Sequence, residues 1–124
     1  GDALSSLDII IEIDNALKGI PGIAEVYDLK AHKDAVCPYI VVDQIRRHEG
    51  RLMDDSERKS FIDIHLWTDP SFVGKKKCCE FEALIEAKMK TLSRDYFLDE
   101  SVFIIDEESS MPHLVMTFRT YDNI

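Results

Sequence analysis

The stretch FIDIHLW, residues 61–67, alternates along the chain with a period of two. In an extended strand this period sends Ile62, Ile64 and Leu66 to one side and Phe61, Asp63, His65 and Trp67 to the other. The closing stretch HLVMTFRTY, residues 113–121, repeats the pattern. Leu114, Met116 and Phe118 share one face; Val115, Thr117, Arg119 and Tyr121 share the other. A helix of period 3.6 gathers neither set into a single stripe, so the chain has to build a sheet with one strongly apolar face. Ser101–Ile105 adds a strand with Val102 and Ile104 on one side and Phe103 and Ile105 on the other. Tyr39–Ile45, directly after Pro38, is a further strand rich in β-branched residues. A short, weak strand is expected at Ala24–Tyr27.

Two segments have helical spacing instead. Residues 4–18 place Leu7, Ile10, Ile11, Asp14 and Leu17 at helical intervals, with Ile9 and Ile13 widening the apolar side. Gly19, Pro21 and Gly22 end that helix. Residues 72–92 carry Cys78, Phe81, Leu84, Ile85, Met89 and Leu92 on one stripe. The order is helix, weak strand, hairpin, helix, hairpin, without β-α-β-α alternation. It predicts an α+β fold: an antiparallel sheet of about four strands with two helices packed on one face. With 124 residues, positions 1–124 form a single domain large enough to fold without a metal or disulfide staple.

Two helices cover one sheet face and leave the other. That face retains Phe61, Trp67, Val115 and Tyr121, more apolar surface than a half-solvated sheet needs. Large exposed apolar patches are uncommon on monomers, so these four residues are expected to contact a further copy of the chain in a closed symmetric assembly. The rival expectation is that residues 28–36 fold over them.

Between the two strands of the first hairpin lies RRHEGRLMDDSERK, residues 46–59, with nine charged residues in fourteen. Hairpin loops usually have about 2–5 residues. The charges nearly cancel: Arg46, Arg47, Arg51, Arg58 and Lys59 against Glu49, Asp54, Asp55 and Glu57. The segment reads as a long mobile loop suited to docking on a neighbouring subunit, the alternative being an inert insertion.

Little points to chemistry. There is no dinucleotide fingerprint, phosphate-binding loop, zinc-protease helix or nucleophile elbow. Asp63 and His65 share a face and would orient an imidazole, but no nucleophile accompanies them in sequence. Asp54, Asp55 and Glu57 lack the spacing of a calcium loop. Cys37, Cys78 and Cys79 are an odd count with two adjacent, which fits reduced thiols better than disulfides or zinc. Lys75, Lys76 and Lys77 read as a solvated face. The net charge of −9 opposes a module that grips nucleic acid, though a wall past which DNA slides tolerates it. No apolar run reaches membrane-spanning length, and no basic, apolar leader opens the sequence. No cofactor, metal or catalytic residue is expected.

One resemblance runs over most of the chain. VYD at 26–28, CPYIVVDQ at 37–44, FIDIHLWT at 61–68 ahead of a helix, and HLVMTFRTYD at 113–122 together resemble the tail-completion or tail-terminator proteins of long-tailed bacteriophages and gene transfer agents. KKKCC and DEESS match nothing in that pattern. The resemblance implies a non-enzymatic α+β virion protein of the tail or neck, assembled in the cytoplasm of a bacterial host. It implies a hexameric ring that caps the tail tube, ends tail polymerisation and offers the surface for joining the head. Its partners would be its own copies, the tail tube protein and a head-completion or connector protein, with DNA only as cargo passing through the channel. Arg46–Lys59 would be the family's mobile loop. The rival functions are another neck or head-completion connector, and a small enzyme or ligand-binding domain built on Asp63, His65 and Trp67.

Overall fold

The computed structural model of the chain describes residues 5–28, 31, 33–49, 57–68, 76–105 and 112–123. Helix α1, Ser6–Leu17, starts where Ser5 closes a capping box. The Ser5 hydroxyl accepts from the Asp8 amide at 3.1 Å, and the Asp8 carboxylate accepts from the Ser5 amide at 3.1 Å. The Ser5 hydroxyl, which donates to the Asp8 carboxylate at 2.7 Å, and the Ser5 amide together hold that carboxyl below its ordinary range. After α1 the chain turns at Gly22, whose φ of 92° favours glycine and whose Cα faces the Phe81 ring.

There follow β1 (Glu25–Tyr27), β2 (Tyr39–Glu49), β3 (Glu57–Trp67), helix α2 (Lys76–Met89), β4 (Phe97–Ile105) and β5 (Pro112–Asn123). The sheet has five strands in the order β1-β2-β3-β5-β4. Both helices lie on one face. Ile9, Ile13 and Leu17 of α1 and Phe81, Ile85 and Met89 of α2 pack onto Ile40, Val42, Ile62, Ile64, Leu66, Leu114, Met116 and Phe118. The inward set predicted by period two is the set that is buried.

The α+β class holds, but the expected sheet needs two corrections. It has five strands rather than four, and it is mixed: β1 pairs parallel to β2 while all other pairs are antiparallel. β1 has three residues and buries only Val26, too little for alternation to announce a full sheet member. Its ladder is lengthened by a bond from the Ala24 amide to the Pro38 carbonyl at 2.8 Å. β4 also begins at Phe97 rather than Ser101, because a register shift between Leu98 and Glu100 breaks its period.

The polar interruption is shorter than its composition implied. Arg46, Arg47, His48 and Glu49 pair with Phe61, Ser60, Lys59 and Arg58, so both strands run on into the charged segment. Ladder bonds are made by the backbone and need no apolar side chains. The rest of that segment, including Arg51, Asp54 and Asp55, lies outside the described residues.

Candidate functional site

The face of the sheet opposite the helices is the surface on which the sequence placed its expected contacts. Strand register orders it into rows. One end holds Tyr39, Trp67, His113 and Ile104 side by side, then Val41, His65, Val115 and Val102. The other end holds Arg46, Phe61, Arg119 and Phe97, then His48, Lys59 and Tyr121. Asp63, Thr117 and Glu100 lie between.

The first end is an aromatic band. Tyr27 meets Tyr39 edge-on at 5.8 Å between centroids. Tyr39 stacks on Trp67 at 6.5 Å, and Trp67 on His113 at 3.7 Å. His65 Nδ1 and His113 Nε2 are 2.7 Å apart, while His65 Nε2 lies 3.2 Å from Asp43. If the His65 Nε2–H donates to Asp43, its Nδ1 must accept, which makes His113 the donor between the rings. Each ring is therefore fixed by its neighbours, and the band extends into Val102 and Ile104, which are 37% and 44% exposed.

The second end is charged, and Arg46 and Arg119 are paired with carboxylates there. Arg46 reaches Asp63 at 2.5 Å and 3.4 Å, and Thr117 donates to Asp63 at 2.9 Å. Burial alone would raise the Asp63 pKa, but the hydrogen bonds from Arg46 and Thr117 outweigh it and hold the carboxyl below 3.8. Arg119 lies 3.3 Å from Asp99, with its guanidinium 5.4 Å from both the Phe97 and Tyr121 rings. Lys59 sits 5.7 Å from the Tyr121 ring and Arg46 5.8 Å from Phe61. Such pairs stabilise a strand face modestly and fix its side chains.

The four expected face residues do share this surface, but in two settings. Trp67 and Val115 belong to the aromatic band, whereas Phe61 and Tyr121 are occupied by cations. Sequence reading overlooked Tyr39, His113, Val102 and Ile104 as band members. Alternation places Tyr39 and His113 on a face, but which strands are neighbours is not written in it. Of the charged set, Arg46 and Lys59 join the open face. Arg47 points toward α1, with its guanidinium 3.5 Å from the Ser6 hydroxyl. Glu49, Glu57 and Arg58 are strand residues.

Asp63, His65 and Trp67 also share the face without forming a reactive group. Among the described residues no hydrogen bond joins Asp63 to His65, since each is held by other partners. Nor do three metal-ligating side chains cluster among the described residues. Cys37, Cys78 and Cys79 form no disulfide with one another; Cys78 is buried near Thr68, and that burial raises its pKa. Lys77 pairs with Glu80 at 3.4 Å on the exposed start of α2, and Lys75 lies outside the described residues. No helix among the described residues is long and apolar enough to cross a membrane.

The Asp63 cluster yields a pH signature. A carboxyl whose folded pKa is depressed contributes stability that is complete above its unfolded pKa and disappears as pH falls through the folded value. Asp63→Asn should therefore lower the urea midpoint at pH 7 and converge with the parent chain well below pH 3.8. A gap that persists unchanged into acid would mean that the Asp63 charge does not stabilise the hairpin.

No family model and no curated protein sequence matches the chain. A solved structure does: a chain of the virion of a native gene transfer agent particle, 12% identical, with a TM-score of 0.71. The match covers 92% of this chain and 93% of that one, so the two share a fold from end to end.

Proposed function

We propose that this chain is a structural, non-enzymatic virion protein. It forms a ring that caps the tail tube, ends tail polymerisation and provides the surface on which the head joins. The observation that carries the reading is the fold shared along nearly the whole chain with a component of a gene transfer agent virion. The tail-terminator resemblance of CPYIVVDQ, FIDIHLWT and HLVMTFRTYD points to the same class and supplies the finer role. The geometry supports it through the open face, where Trp67, Tyr39, Val115, Val102 and Ile104 form an apolar band that copies in a ring can cover.

On this reading the ring is hexameric. Its partners are the tube protein, a head-completion protein and DNA passing through the channel, and it resides in the tail or neck of a particle assembled in a bacterial host. Electron microscopy of lysates lacking the protein tests the role. Headless tails of uncontrolled length are expected. Tails of normal length that lack heads would move the protein to the neck as a connector, and complete particles of normal length would overturn the proposal.

A further inference from the structure

The sheet ends in two unlike margins. β4 pairs only with β5, so its outer edge is open among the described residues. The beginning of that edge is protected by the register shift between Leu98 and Glu100 and by the acids Asp99 and Glu100. The remainder, Ser101–Ile105, is uncharged, regularly paired on its inner side, and exposes Val102, Ile104 and Ile105. A strand of this kind is a template for another chain. The opposite margin is incomplete for a different reason. β1 pairs with residues 39–41 of β2 and goes no further, so that among the described residues Ile45–Glu49 have β3 as their one strand neighbour.

The two margins match in direction and in charge. Three antiparallel steps separate β2 from β4 across the sheet, so β4 runs opposite to β2. A sheet continued from β4 of one copy into β2 of the next, with the same face forward, is therefore antiparallel at the joint. The β2 margin carries Arg46, Arg47 and His48 against the single acid Glu49. Residues 95–108 carry six acids, Asp95, Asp99, Glu100, Asp106, Glu107 and Glu108, and no base. Pairing β4 with a second β4 would set acid against acid, which is unfavourable directly across a ladder. Pairing it with β2 brings Glu100, on the open face opposite Thr117, near His48 on that same face.

We infer that copies of this chain join head to tail by strand addition, with Ser101–Ile105 of one subunit pairing with the Ile45–Glu49 margin of the next. The contact is heterologous, so its repetition does not stop at a two-fold dimer and builds a ring when the rotation between neighbours closes. It also carries the aromatic band across the subunit boundary, because Val102 and Ile104 end the band at the β4 edge. The inference rests on the ring-forming reading given above and names the edges that build the ring.

The test uses the full chain with Cys79→Ser to remove its exposed thiol. One batch carries His48→Cys; another carries Glu100→Cys or Val102→Cys. Light scattering reports assembly, and mild oxidation of mixed batches reports contact, since a disulfide needs Cα atoms within about 7 Å. Assembly with β2–β4 cross-links in the mixture alone is the expected result. Assembly without them, or with cross-links between two Val102→Cys chains, overturns the edge pairing and leaves the ring. A monomer at every concentration, alone or with tube protein, overturns the ring reading as well. Ile104→Lys should raise the concentration for half-assembly about tenfold or more with the circular dichroism spectrum unchanged. Unchanged assembly in that variant also counts against the edge pairing.

Discussion

Phe118→Ala is expected to cost about 3–5 kcal/mol, the range for removing a buried aromatic ring from a packed core. Phe118 is 1% exposed in the strand that pairs with both β3 and β4, with Ile62 and Leu98 opposite it. Its ring lies in the layer between the sheet and the helices, so no single element can move in to fill the cavity. Domains are typically stable by about 5–15 kcal/mol, so this substitution removes a large share of the total. In urea the midpoint should fall by about 2 M with little change in slope. Val115→Thr, three residues earlier on the open face, should cost less than about 1 kcal/mol. The pair is a test of faces: a comparable loss at both sites would mean that the open side is packed within the single chain.

That contrast was legible in the sequence because period two assigns faces without reference to a partner. Ile62, Ile64 and Leu66 in β3, and Leu114, Met116 and Phe118 in β5, are buried as their alternation requires. Both helices were legible as helices, but the buried face of α1 was not: Ile9, Ile13 and Leu17 are buried, while Leu7 and Ile11 of the expected stripe are 64% and 49% exposed, and Leu84 of the α2 stripe is 42% exposed. Three further features were not legible, each for a physical reason. β1 is too short for periodicity, and its place in the sheet depends on a parallel pairing that local sequence does not encode. The ends of β2 and β3 were hidden by charge, although the backbone ladder there is indifferent to it. The neighbour relation of β3 and β5 joins segments separated by α2 and β4, and without it His65 and His113, 48 positions apart, could not be recognised as a touching pair. The candidate surface was therefore readable as a face but not as an arrangement. Phe61, Trp67, Val115 and Tyr121 were found together, while the division into an aromatic band and a charged end required the register.

That division makes Trp67 the informative residue on the open face. It is the only tryptophan of the chain, so its fluorescence reports on the band without labelling. The ring is stacked between Tyr39 and His113 yet remains partly open to solvent on the face away from the helices. If copies cover the band on assembly, the emission should shift to the blue as concentration rises, in step with the mass measured by light scattering. Trp67→Ala should then weaken assembly about 30-fold or more, the loss expected when a central aromatic anchor is truncated. Its cost to the single chain should be much smaller. What disappears there is stacking worth about 0.5–1.5 kcal/mol per aromatic pair, with none of the helix-facing core disturbed. Unfolding of the variant has to be followed by circular dichroism, since the fluorophore is gone. An assembled ring whose tryptophan emission matches that of the diluted subunit would show that the band stays wet. Phe61, Tyr121 and the charged end of the face would then be the surface to examine for subunit contact.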